Sequence, residues 1–311
     1  MSSMNRQSII RGANGIVRIV DRLFDFVILF GILVVASYAI FSLWDAGQIV
    51  TNASPDVYEH YRPSTADILS FEELKRINPD VIAWLEIYGT NIDYPVVKSK
   101  DNREYLNYDV FGNHSLAGAV FLDAENSADF SDFNSVIHGH HMAEGMMFGN
   151  IDLFKDKAFF DEHLYGDLFF DGRNHGLEIF AFLERSAYDW YVFKPGIVDE
   201  DTRMEYLETI RTNATYLRDI DITPDEHIVL LGTCAPQETN GRDILVAKLT
   251  DQTYENTFGR VERQQNNLFD IDKINMQTMR YGLLALLALM IPIFFIHRNK
   301  RRMKTGKREI S

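Results

Sequence analysis

The stretch "VLLGTCAPQETNGRD", Val229 to Asp243, contains Cys234, the only cysteine among 311 residues. An apolar run leads into it, a turn rich in Gly, Thr and Pro follows, and Arg242 comes eight positions later. Cysteine is a strong nucleophile only as its thiolate, and the free pKa is about 8.5, so a reactive thiol needs a cationic or basic neighbour. Three histidines in "SVIHGHHMAEG", His138, His140 and His141, are the candidates, and they too follow a short apolar run. With one of them beside it, Cys234 is a nucleophile with its own acid/base partner. An antiparallel hairpin of 230–234 with 242–249 returns the Arg242 guanidinium to the cysteine. There a permanently charged donor stabilises a developing oxyanion, with a backbone N–H near Thr233 as a second donor.

The same residues allow other readings. A lone thiol is more often a small buried hydrophobe, which leaves a non-enzymatic surface scaffold. H-x-H at the end of a strand suits zinc, which makes an extracellular zinc-dependent hydrolase using the HGHH segment the alternative enzyme. Metallo-hydrolases of the H-x-H-x-D-H type need an aspartate where this chain has Met142 and a histidine where it has Ala143. His60, His114, His163, His175 and His227 lie in polar stretches read as exposed and are given no role.

The elements that must position these groups are mostly short strands. "VIAWLEIYG", "IDYPVVK", "GAVFLDA", "NSVIHGHH", "DLFFDG", "GLEIFAFLERS", "EHIVLLGTC" and "DILVAKLT" are β-branched and aromatic runs divided by Gly, Asn and Asp. Helices are expected within Met147–His163 and within 199–220. A capping-box pattern, Ser70 followed by Glu73, starts a further short helix that stops near Pro79. Many closely spaced strands of this kind make a barrel or sandwich with inserted helices.

Charge and hydropathy set the surroundings. The net charge of -14 excludes a nucleic-acid binder, which needs a basic face. The first 22 residues carry four arginines and one aspartate, and the last 15 carry seven basic residues and one glutamate. The middle is strongly acidic. "FVILFGILVVASYAIFSL", Phe26 to Leu43, is 18 uncharged residues, close to the ~20 that span a bilayer core. "YGLLALLALMIPIFFI", Tyr281 to Ile296, is 16 residues, flanked by "HRNKRRMKTGKR". Both basic ends then lie in the cytoplasm and the acidic body outside. The domains expected are a basic cytoplasmic segment, 1–22; a transmembrane helix, 23–44; a stalk and short helix, 45–75; a catalytic β-barrel, 76–255; a juxtamembrane linker, 256–280; a second transmembrane helix, 281–296; and a basic cytoplasmic tail, 297–311. One cysteine excludes an internal disulfide framework.

With these segments side by side, the chain resembles the sortases, the cysteine transpeptidases of Gram-positive cell surfaces, and most closely class B. The resemblance covers about residues 76 to 250. "NPDVIAWLEIYGTNIDYPVV" and "DNREYLNYDVFGNHSLAGAVFLDAEN" resemble the opening strands and the segment after them. "NSVIHGHHMAEGMMFGNIDLFKDKAFFDEH" resembles the histidine strand and its helix, "LLGTC" the family's T-L-x-T-C, and "RDILV" its arginine strand. The first position of T-L-x-T-C is Leu230 here. The resemblance implies a closed β-barrel flanked by the two membrane helices. It assigns the histidine role to His140, which follows the glycine, rather than to His138 or His141. It implies Cys234 as nucleophile, His140 as general acid/base, Arg242 as oxyanion and substrate stabiliser and Thr233 as a substrate contact, with no cofactor or metal. The partners implied are secreted surface or pilin proteins with a C-terminal sorting motif. The acyl acceptor is an amine, from a pilin lysine or from the peptidoglycan cross-bridge. A C-terminal span is more like the pilus-building class C enzymes, and the combination resembles class B enzymes that polymerise pilins.

Overall fold

The computed structural model describes residues 2–63, 68–234 and 240–259. The second apolar run, 281–296, and the basic tail lie outside the described residues. The first apolar run belongs to one helix, α1 (Ser2–Asn52). Among the described residues it is the one helix long and apolar enough to cross a membrane, with a mean hydropathy of 2.6 over its 18-residue window and none of that window buried.

Nine strands follow: β1 (Val81–Ile87), β2 (Asp93–Val97), β3 (Val120–Leu122), β4 (Asn134–His138), β5 (Tyr165–Phe170), β6 (Arg173–Ser186), β7 (Tyr216–Leu217), β8 (His227–Cys234) and β9 (Gly241–Thr250). Their order is β5-β1-β2-β3-β4-β8-β9-β6-β7, and β5 also pairs with β6. Eight strands therefore close on themselves, which removes the open sheet edges that invite aggregation. The 14-residue β6 makes closure possible. It pairs with β9 along one edge, while its other edge takes β5 and then the two-residue β7. The mainly β closed barrel with inserted helices is thus what the chain forms.

Strand alternation sorts the apolar side chains into two clusters. Val229, Leu231, Leu245 and Ala247 join the main core, with Ile137, Phe182 and Leu85. Ile228, Leu230, Ile244 and Val246 join a second cluster with Phe133, Leu183 and, from α4 (Glu200–Asn213), Tyr206, Leu207 and Ile210. β8 is covered on both faces, so it reads "IVLL" without alternation. A bulge in β6 between Ile179 and Ala181 puts the consecutive Phe180 and Ala181 in the same cluster.

Several expectations need correction. Ser70 does not cap its helix: α2 (Leu69–Ile77) starts before it, Ile68 is the N-cap residue, and Ser70 is buried inside the first turn. The segment 45–75, expected as a stalk and short helix, is largely structured. α1 runs to Asn52, a 3₁₀ turn covers Pro55–Tyr61, and Ala53 and Tyr58 are core residues. Tyr94 explains the docking, because its buried hydroxyl donates to Ala53 O at 2.9 Å. The helix expected across Met147–His163 is a 3₁₀ segment, Gly149–Lys155, followed by α3 (Lys157–Glu162), which Asp156 caps by accepting from Ala158 N. The helix expected through residue 220 ends at Asn213, and the chain turns into β7. His163 and His175 are buried rather than exposed. Each is stacked on phenylalanine, His163 on Phe159 at 3.5 Å and His175 on Phe170 at 3.8 Å.

Candidate active site

Strand register places the chemistry. β8 lies between β4 and β9, parallel to the first and antiparallel to the second. Cys234, the last residue of β8, pairs directly with Arg242. The hairpin expected from 230–234 and 242–249 forms with that register. On the other side the last register pair is His138 with Gly232, and Gly139 N donates to Gly232 O at 3.3 Å. Two residues further along each chain come His140 and Cys234. Thr233 precedes Cys234 in β8. Its side chain is 2% exposed and lies opposite Asp243 in the register, so only its backbone is at hand for a bound substrate.

The histidine turn is fixed by local bonds. Phe148 N donates to His140 O at 3.0 Å, and His141 and Met147 form an isolated bridge. Gly139 is required by a close approach, since a Cβ there would stand 2.7 Å from the ring of the fully buried Phe148. The three rings turn to three different partners. His140 Nε2 donates to Leu106 O at 2.9 Å, His138 Nε2 meets Asp123 Oδ2 at 3.0 Å, and His141 Nε2 meets Asp152 Oδ2 at 2.7 Å. That divergence does not suit a zinc site, and among the described residues no three His, Cys, Asp or Glu side chains stand together to hold a metal ion.

A cleft of about 520 Å³ opens over this end of the barrel. Its lining includes Gly232 and Arg242 from the β8–β9 hairpin, Asp123 and His138, and Trp190, Phe193 and Lys194. Trp190, which lines the cleft, is 70% exposed, an unusual state for a large ring. Arg242 donates from Nη1 to Gly241 O and makes no ion pair among the described residues, so its charge is open to a ligand. Burial pushes the Asp123 carboxyl up, but bonds from His138, from Glu125 N and from Asn102 outweigh it and hold it below the usual range. It is therefore an ionised acceptor for His138.

Sequence reasoning missed the residues that hold the cleft in shape. Asn134, fully buried at the start of β4, donates from Nδ2 to Lys194 O at 2.7 Å and accepts from Ile197 N at 2.9 Å. It thereby ties the segment 194–197, next to Phe193, to the histidine strand. The signal was an amide opening an otherwise apolar run. Behind the sheet, Lys155 Nζ lies 2.9 Å from Asp152 Oδ1 and 2.8 Å from Oδ2 of the fully buried Asp243. This chain links the neighbour of His140 to the neighbour of Arg242. Burial pushes the Asp243 carboxyl up to about 6.

Comparison with known proteins places this architecture. The sortase-domain family model matches residues 85–250. Sortase B of Listeria monocytogenes is 31% identical over 179 residues, which are 57% of this chain and 72% of that protein. The crystal structure of sortase B from the Type II pilus of Streptococcus pneumoniae is 46% identical with a TM-score of 0.52, covering 58% of this chain and 99% of its own. A Streptococcus pyogenes class B sortase involved in pilus biogenesis is 37% identical with a TM-score of 0.53, covering 58% of this chain and 97% of its own. A family match over more than half of the chain, around a barrel whose one cysteine pairs with an arginine, makes this protein a member of the sortase family, class B-like, and an enzyme of the cysteine transpeptidase kind.

Proposed function

We propose that Cys234 attacks the carbonyl of a C-terminal sorting motif in a secreted protein. Arg242, with a backbone N–H near Thr233, stabilises the tetrahedral oxyanion. His140 protonates the leaving amine, which leaves a thioacyl-enzyme on Cys234. An amine then attacks the thioester, with His140 as base. The observation that carries this reading is the register that sets Cys234 directly opposite Arg242, on a strand that pairs on its other side with the strand leading to His140. The cleft suits a peptide: its lining combines aromatic rings, Trp190 and Phe193, with polar groups and Arg242.

α1 is the membrane anchor in this reading, with the N-terminus and the basic tail in the cytoplasm and the barrel outside. Anchoring holds the site near substrates retained in the same membrane and raises their effective concentration. The acceptor is a pilin lysine. Two similar solved structures, at 46% and 37% identity, are of sortases tied to pili, which supports pilin polymerisation over attachment to the peptidoglycan cross-bridge.

The test is mass spectrometry of the full chain incubated with a randomised peptide library. An adduct on Cys234, absent in Cys234→Ala, is the expected result, and its mass gives the sorting motif. An unmodified Cys234 across the library overturns the proposal. Offering the trapped acyl-enzyme a lysine side chain or a cross-bridge peptide then separates the two acceptors.

A further inference from the structure

An alkylammonium carries one proton too many to attack a thioester. A free lysine side chain has a pKa of about 10.4, so near neutral pH almost every acceptor arrives protonated. Two protons must leave its nitrogen in the course of acyl transfer, one before attack and one as the tetrahedral adduct collapses. Besides His140, the base of the proposed reaction, a second imidazole is at hand: His138 lines the cleft. It pairs with Gly232, two residues before Cys234 in β8.

The surroundings of His138 differ from those of His140. His140 is backed by a backbone carbonyl, Leu106 O, whereas His138 is backed by the Asp123 carboxylate. Asp123 is itself pinned by Asn102 Nδ2 at 2.7 Å and Glu125 N at 3.0 Å. A carboxylate in that place fixes the tautomer: Nε2 carries the hydrogen and donates to Asp123, and Nδ1 keeps the lone pair. Phe121 packs against the imidazole at 5.2 Å and holds its plane. The charged groups lining the same cleft are Asp123, Glu125, Lys194 and Arg242. Asp123 bonds His138, and the two carboxylates of the cleft complement an incoming cation, while Arg242 belongs to the oxyanion.

We infer that the Asp123–His138 pair, with Glu125, is the subsite for the amine acceptor, and that His138 takes the first proton from the ammonium. This inference rests on the acyl-transfer reading above and deepens it. The steps balance as follows. The ammonium gives one proton to His138 Nδ1 and becomes a neutral amine. Its lone pair forms a C–N bond to the thioester carbon, and the electrons of the C–S bond leave with the Cys234 sulfur. The second proton passes from nitrogen to His140. The products are an amide, a thiolate and two imidazolium ions, and His138 returns its proton to water. His140 serves acylation and collapse; His138 serves only acceptors that arrive charged.

Hydroxylamine tests this, because it is largely neutral near pH 7 and needs no such acceptor, whereas the side chain of Nα-acetyl-lysine methylamide does. Both are offered together to the full chain in detergent, with the peptide that loads Cys234 as donor, and the lysine amide and hydroxamate are quantified. Both products come from one intermediate, so their ratio is independent of how fast or how much acyl-enzyme forms. His138→Gln should lower the ratio of lysine amide to hydroxamate at least tenfold, within the range that a positioned base contributes. Asp123→Asn should lower it in the same direction. A ratio within twofold of the unaltered protein overturns the inference, including the case where both products fall together. Absence of both products from the unaltered protein overturns the acyl-transfer reading and this inference with it.

Discussion

Arg185 stands directly opposite Arg242 across β6 and β9. Like charges in that relation destabilise an antiparallel pair. One of the two is neutralised: Arg185 donates from Nε and Nη2 to Asp189 Oδ2 and from Nη1 to Asn213 Oδ1. Arg242 is left with its charge directed to the cleft. Asp189→Asn should free the Arg185 guanidinium beside Arg242, lower thermal stability by up to about 1 kcal/mol and reduce kcat/KM several-fold. Arg185→Gln in the same background should recover activity, because the repulsion is gone. Calorimetry and peptide-cleavage kinetics on the three proteins check this.

The proposed catalytic groups differ in what their removal costs. Cys234→Ala should abolish covalent product, a loss on the order of 10³-fold or more, while circular dichroism shows a folded barrel. His140→Ala should be nearly as severe. His138→Ala should be milder, since the proposal keeps His140 for acylation. Arg242→Lys should still cost about 10-fold to 100-fold, because a point charge lacks the guanidinium fork. A reversed rank of His138 and His140 in single-turnover acylation would count against the assignment within HGHH.

Gly139 joins the histidine strand to the turn that carries His140, and Phe148 fills the place a side chain would take. Gly139→Ala should therefore destabilise the fold by about 1–3 kcal/mol, the usual cost of overpacking. It should also lower activity beyond that loss, because the ring cannot retreat without moving His140, whose carbonyl accepts from Phe148 N. Denaturant unfolding and kinetics well below the midpoint separate the two effects.

Asp243 gives a pH signature. Its carboxyl rises from 3.8 to about 6 in the fold, chiefly through burial, so the folded protein holds a proton there that the unfolded chain releases. Its contribution is fully present below about pH 4 and is lost as pH rises through 6. The stability of the unaltered protein minus that of Asp243→Asn should therefore fall between pH 4 and 6, by on the order of 1 kcal/mol. A difference that is flat or rises over that window, in urea titrations at several pH values, would contradict the assignment.

The strands were legible because their residues repeat physical requirements that any barrel imposes. The Cys234–Arg242 hairpin could be read from two apolar runs separated by a polar turn, and the register bears it out. What sequence could not show was side-chain partnership. Asp123 and His138 are 15 residues apart, and Asn134 and Lys194 are 60 apart; neither separation has a local pattern. Ser70 misled because a capping box is a local signal. Here helix α2 begins one residue earlier, and Ser70 is buried instead. His163 and His175 misled because polar neighbours in sequence say little about which aromatic rings arrive from elsewhere in the fold.

The parallel pairing of β4 and β8 has a consequence for biogenesis. A parallel neighbour cannot be reached by a tight turn, and here the crossover runs from Gly139 to Glu226 by way of three strands and two helices. Contacts of such long range form late and slowly. A growing chain stopped before β8 has His140 but lacks Cys234, the nucleophile of the proposed reaction. Under that proposal the chemistry begins only once the last hairpin of the barrel, β8 with β9, has been made.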